Sequence, residues 1–131
     1  MSEAPGIRGV VVAHGSMAQG MVDAVHRIAG GAADALSPLS NEGLSPRDLK
    51  DALDHLAGEE PTIVFADLLS GSCGMAAMVS TRNSDRRRVV CGVNLPILLD
   101  FVFHRDLPME ELVQRLVGKG RDGIRSLPEP V

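Results

Sequence analysis

Aromatic side chains are nearly missing from this chain: tryptophan and tyrosine do not occur, and phenylalanine occurs three times in 131 residues. With few rings on which bases could stack, and with a net charge of −4 and an isoelectric point near 5.5, the chain lacks both parts of a nucleic-acid surface. Cysteine is scarce as well. Cys73 and Cys91 stand 18 positions apart without a Cys-x-x-Cys, a spacing that fits neither a disulfide framework nor a zinc site, and they read as reduced thiols. Long apolar runs are missing too. The longest, Leu95 to Phe103, is interrupted by Pro96 and Asp100 and has about half the length of a membrane-spanning helix. Met1 to Gly6 carry no basic region and no apolar core of a secretory signal, so a cytoplasmic protein without direct membrane insertion is expected.

What is present is the balance of a globular protein, 44% hydrophobic and 23% charged, with enough length for one core and one domain over residues 1–131. Ile7 to Ala13 ends in a β-branched run and reads as a buried strand. From Ser16, Ala18, Met21, Val22, Val25, Ile28 and Ala29 recur at helical spacing until Gly30-Gly31 stop the segment. Residues 32 to 39 allow a weak second strand. Ser45-Pro46-Arg47-Asp48 is a helix start, an N-cap followed by Pro at the first helical position, with Leu49, Ala52, Leu53 and Leu56 on one face. Pro61 to Asp67 is a third strand, apolar on both sides. The small-residue loop Ser70-Gly71-Ser72-Cys73-Gly74 leads into a short helix over Met75 to Val79, and Val89 to Val93 is a fourth strand. Asn94-Leu95-Pro96 opens a helix through Phe103, and Pro108-Met109-Glu110-Glu111 a last one that Gly118, Gly120 and Gly123 weaken. This alternation predicts an α/β three-layer sandwich with a doubly wound, mostly parallel sheet in the order 2-1-3-4. Residues 126 to 131 are left as a frayed tail or a C-terminal edge strand, against which Pro128 and Pro130 count.

In open α/β sheets ligands bind beyond the carboxyl ends of the strands, where the strand order reverses. For the order 2-1-3-4 that point lies between strands 1 and 3, whose ends carry His14 and Asp67. An imidazole tied to a carboxylate through one nitrogen keeps a lone pair on the other, and can accept a phosphoryl group, an acyl group or a proton. Small residues at 70 to 74, opening a helix, offer backbone N–H groups to an anion. Phosphoryl transfer, which needs positioning and charge stabilisation above all, fits best. His26, His55 and His104 lie on polar faces or near a helix end and are assigned no chemistry. Arg86-Arg87-Arg88 is expected as a solvated lead-in to strand 4, open to a partner with an acidic face.

These residues carry a resemblance. Val10-Val11-Val12-Ala13-His14-Gly15, then Ala18-x-Gly20-Met21, Asp67-Leu68-Leu69-Ser70-Gly71-Ser72, Gly92-Val93-Asn94-Leu95-Pro96-Ile97-Leu98 and Gly120-Arg121-Asp122-Gly123-Ile124 together resemble the IIA component of the mannose family of the bacterial phosphoenolpyruvate-dependent sugar phosphotransferase system (PTS). The likeness runs from residue 7 to about 127. It implies a homodimer and a phosphocarrier that takes phosphate from HPr and passes it to a IIB component. By position His14 is the phosphorylated residue, Asp67 orients its ring, and Ser70, Gly71 and Ser72 bind the phosphoryl oxygens. No metal or organic cofactor is implied, and in the mannose family the C-terminal strand can be exchanged between subunits, here from Leu127 onward. The family loop reads Gly-Gly-Ser-Pro-x-Asn, where this chain has Ser70-Gly71-Ser72-Cys73-Gly74-Met75. Met75 cannot donate the hydrogen bonds of an Asn, whereas Cys73 in place of Pro adds a backbone N–H. A regulatory member of the family is compatible with that loop. Two other readings stand beside the phosphocarrier: a non-catalytic module that senses a phosphorylated metabolite or docks a partner, and a hydrolase using Ser72, whose surroundings approach the Gly-x-Ser-x-Gly elbow.

Overall fold

A computed structural model describes residues 6–82 and 84–129. Its four strands are β1 (Arg8–Ala13), β2 (Leu36–Ser40), β3 (Thr62–Ala66) and β4 (Arg87–Cys91), all parallel and in the order β2-β1-β3-β4. Helices α1 (Met17–Ala29), α4 (Leu95–Val102) and α5 (Met109–Asp122) cover one face, and α2 (Pro46–Ala57) and α3 (Ser72–Arg82) the other. The expected three-layer, doubly wound α/β sandwich is the observed one.

Alternation along the central strands divides the core in two. Val11 and Ala13 of β1 join Ile63 and Phe65 of β3 under α1, α4 and α5, while Val10 and Val12 join Val64 and Ala66 under α2 and α3. Two of the few aromatics, Phe65 and Phe101, meet edge to face on the first side with ring centroids 5.1 Å apart. The second side is filled by smaller groups, Cys73, Ala76 and Ala77, beneath Leu49 and Leu53. Helix starts follow local chemistry: Ser45 Oγ accepts the Asp48 N–H at 3.1 Å, and Asn94 Oδ1 accepts the Ile97 N–H at 3.2 Å.

Three boundaries and the roles of several residues differ from the sequence reading. The second strand begins only at Leu36, because Gly30 to Ala35 wind into a 3-10 helix directly after α1. Helix α3 begins at Ser72, taking in residues expected as loop, and runs to Arg82. Strand β4 is displaced towards the arginines, and Arg87 is structural rather than solvated: its guanidinium donates to Asp54 Oδ1 at 2.7 Å, the Ser80 carbonyl at 3.0 Å and the Gly58 carbonyl at 2.9 Å. Arg88 pairs with Glu110. Helix α5 is not weakened by its glycines, since Gly120 is where Ile97 packs; a Cβ there would lie 2.7 Å from Ile97 Cγ1. In the C-terminal segment, residues 124–129 form no strand, and residues 130 and 131 of the proposed edge strand lie outside the described residues.

Candidate functional site

Strands β1 and β3 end side by side at the switch point, with Val12 opposite Ala66. The residues just beyond, His14 and Asp67, therefore meet although they are 53 positions apart. Asp67 Oδ2 accepts two hydrogen bonds from His14, from its backbone N–H at 3.0 Å and from ring Nδ1 at 2.7 Å, while Oδ1 accepts the Leu68 N–H at 3.0 Å. A nitrogen facing a carboxylate at that distance carries the hydrogen, so in the neutral ring Nε2 holds the lone pair. Solvent access divides the pair: the Asp67 side chain is 6% exposed and that of His14 44%. The acid is sheltered and the ring can be reached.

Burial pushes the Asp67 carboxyl up, but the His14 N–H and ring, together with the Leu68 N–H, outweigh it and hold the group below the ordinary carboxylate value. The carboxylate is thus kept ionised beside the imidazole, where it can stabilise positive charge developing on the ring.

Gly71 stands next to the free nitrogen. Its φ of 101° lies in the left-handed region that favours glycine, and a Cβ there would come 3.7 Å from His14 Nε2. Ser70, which takes the place of the family's first glycine, adopts no positive φ, so the loop turns on Gly71 alone. Helix α3 starts at Ser72, and the N–H groups of its first turn have no intrahelical acceptor, which makes this end of the helix attractive to an anion. Gly74 fixes the entry of that helix: a Cβ there would sit 2.6 Å from the Leu68 carbonyl oxygen.

Asn41, which follows β2 directly, is the residue the sequence reading missed. Its Oδ1 accepts the Gly15 N–H at 3.2 Å and its Nδ2 donates to Ser72 Oγ at 3.3 Å, joining the histidine turn to the start of α3. Ser40 Oγ adds a bond to the Gly15 carbonyl at 2.7 Å. The only available signal is positional: residues 40 and 41 leave the strand beside β1 at the same sheet edge. Ser72 is thereby held by an amide, and among the described residues no imidazole hydrogen-bonds its hydroxyl, so it lacks the base an elbow nucleophile needs.

Met17, Leu68, Leu69 and Met75, each within a few residues of His14, Asp67 or Gly71 in sequence, are exposed, and a groove that reaches Gly71 and Ser72 is lined by the charged Arg47, Lys50 and Asp51 as well as by Met75 and Val79. Cys73 lies beneath, fully buried; burial and then the Asp67 carboxylate push its thiol up, against a hydrogen bond with Ser72. The other histidines stay apart from the site. His26 and His55 occupy the last turns of α1 and α2, and His104 Nδ1 lies 2.8 Å from the Asp100 carbonyl at the end of α4.

Residues 9–117 match the family model described as "PTS system fructose IIA component", EIIA-man. Among solved structures, the chain is similar to phosphotransferase system component EIIA from Streptococcus agalactiae, with a TM-score of 0.84 and 24% identity over 92% of this chain and 96% of that one. It is equally similar to the mannose/sorbose specific IIA subunit of the phosphotransferase system from Enterococcus faecalis, with a TM-score of 0.84 and 25% identity over 97% and 98%. A search of curated protein sequences gives no significant match. Among the described residues no helix is long and apolar enough to cross a membrane.

Proposed function

The chain belongs to the EIIA-man family of PTS IIA components, and from that premise we propose that it is a cytoplasmic phosphohistidine carrier that accepts a phosphoryl group on His14 from HPr and hands it to a IIB component. The observation that carries the residue assignment is the 2.7 Å contact from His14 Nδ1 to Asp67 Oδ2, which leaves Nε2 as the nucleophile beside Gly71. In the forward step the Nε2 lone pair attacks phosphorus, the phosphorus–nitrogen bond to the HPr imidazole breaks, and that imidazole leaves with the electron pair. His14 becomes a phosphoimidazolium whose charge Asp67 balances, while the first turn of α3, with Ser70, Gly71 and Ser72, receives the oxygens. Transfer to IIB reverses these bonds. Because every intermediate carries charge at the same two places, one fixed geometry serves both directions.

The exposed Met17, Leu68, Leu69 and Met75, close in sequence to the site residues, support protein donors and acceptors, and a homodimer is part of the reading. The carrier serves sugar uptake or signals through its phosphorylation state by the same chemistry. Phosphoenolpyruvate, enzyme I and HPr from the source organism, incubated with the purified chain, test it by intact mass. The expected result is one acid-labile phosphoryl group that is absent in His14→Ala. A folded wild-type chain that stays unmodified beside active upstream components would overturn the proposal in favour of a non-catalytic sensing or docking module.

A further inference from the structure

A ring nitrogen of His14, a carboxylate oxygen of Asp67 and Sγ of Cys73 all lie within 4.8 Å of one another. Their sequence spacing matches no metal motif, because three separate segments supply them: the turn after β1, the turn after β3 and the first turn of α3. We propose that this cluster is a binding site for a thiophilic divalent cation of the zinc type, and that the bound ion blocks phosphorylation of His14.

The donor set selects the metal class. One thiolate, one imidazole and one carboxylate suit zinc or cobalt(II), whereas magnesium and calcium require several oxygen donors and find one acid here. Charge closes as well: a dication with a carboxylate, a thiolate and a neutral imidazole is neutral overall. In a tetrahedral zinc site, donor atoms at ordinary bond lengths lie about 3.3–3.7 Å from one another. The 2.7 Å contact between Nδ1 and Oδ2 must open, and any separation near the 4.8 Å limit must close, when an ion binds. The ion enters past the exposed ring and meets the sheltered carboxylate and thiol below it, leaving a fourth position for water.

As the sulfur–metal bond forms, the thiol proton is released to solvent. The imidazole is disabled by either nitrogen. Coordination through Nε2 occupies the nucleophilic lone pair itself. Coordination through Nδ1 moves the ring hydrogen to Nε2, where the lone pair is lost. The inhibition rests on the phosphocarrier reading, whereas the binding stands without it.

Cobalt(II), added to the purified full-length chain, is the probe. Expected are a sulfur-to-cobalt charge-transfer band and the visible bands of tetrahedral cobalt at one equivalent, displaced by zinc. Both should vanish in Cys73→Ser and, should that variant pack poorly, in Cys73→Ala; Cys91→Ser should keep them. In the phosphorylation assay, the zinc concentration that halves labelling should rise more than about tenfold in the Cys73 variants, because losing a ligand costs more than losing a residue that merely supports one. A folded wild-type chain with no charge-transfer band, or a band that survives loss of Cys73, overturns the site. A cobalt spectrum as expected in a chain that HPr cannot phosphorylate would leave the metal site standing and remove the carrier reading.

Discussion

Replacing Asp67 by Asn should slow phosphorylation of His14 more than its near-identical shape suggests. The carboxylate takes three hydrogen bonds, two from His14 and one from the Leu68 N–H. An amide has one accepting oxygen. If that oxygen takes the Oδ1 position and keeps the Leu68 N–H, the amide nitrogen takes the Oδ2 position and faces Nδ1, which must then accept, and the ring hydrogen moves to Nε2. The chain remains folded around a histidine whose attacking nitrogen has no lone pair. Returning the ring to the reactive form turns Nδ1–H against the amide N–H and leaves a sheltered donor unpaired, about 1–3 kcal/mol, which by transition-state arithmetic is about 5- to 160-fold in rate. Loss of the counter-charge to the phosphoimidazolium adds to this. The assay is the initial rate of phosphoryl incorporation from phosphorylated HPr, read by intact mass on protein whose circular dichroism matches wild type. Asp67→Ala supplies the contrast, because it frees the ring without locking the wrong tautomer, and should be no slower than Asp67→Asn. A rate for Asp67→Asn within threefold of wild type would refute the tautomer argument, and so would an alanine variant far slower than the asparagine one.

Gly74→Ala should destabilise the chain by about 3 kcal/mol, since the new methyl meets backbone at Leu68 and Leu69 that cannot rotate away. Gly20→Ala, inside α1 with nothing within 4 Å, should stabilise it by about 1 kcal/mol, and denaturant titration of the two variants side by side checks both signs. Asn41→Ala should cost about 1–2 kcal/mol by the same measurement and slow labelling, as it leaves the Gly15 N–H without its acceptor; an unchanged midpoint and rate would remove Asn41 from the site. Burial raises the Asp54 carboxyl, yet its bonds to Lys50, Ser80 and Arg87 leave it below the ordinary carboxylate value. Its contribution to stability is therefore complete above that value and is lost as pH falls through the lower native one. Asp54→Asn should be less stable than wild type near neutral pH, with the gap closing below about pH 4 in acid titrations; a gap that widens on acidification would reverse the assignment.

Much of this architecture was legible because β1 and β3 end in apolar runs, Val10–Ala13 and Ile63–Ala66, and the position of chemistry in such sheets follows from strand order. Those two facts bring His14 and Asp67 together on paper, 53 positions apart, as they are in space. The misreadings share a cause: residues whose role depends on a neighbour not adjacent in sequence. Ser72 to Gly74 look like loop by propensity, yet Gly74 is small because the carbonyls of Leu68 and Leu69 press on it, and the helix begins before it. Gly120 looks like a helix breaker until Ile97 is seen filling the space its side chain would take. Arg87 has the composition of surface and the surroundings of a core residue, because Asp54, Ser80 and Gly58 converge on it from two other elements. Asn41 is one polar residue among several in a turn, and only the crossing of β2 to the far side of β1 gives it two partners.

The unequal filling of the two sheet faces bears on how the molecule comes apart. One face of β1, the strand that leads to His14, shares its core with Phe65, Phe101, Leu112 and Leu116, whereas the first turn of α3 rests on the thinner layer of valines, alanines and one cysteine beneath Leu49 and Leu53. Partial opening of a protein follows the least cohesive packing first. Under mild denaturant, amides of α2 and α3 should exchange with solvent before those of α1 and α4. Capacity to hold a phosphoryl group would then fail while most of the chain is still native, which makes loss of labelling an earlier report of stress than loss of helix signal.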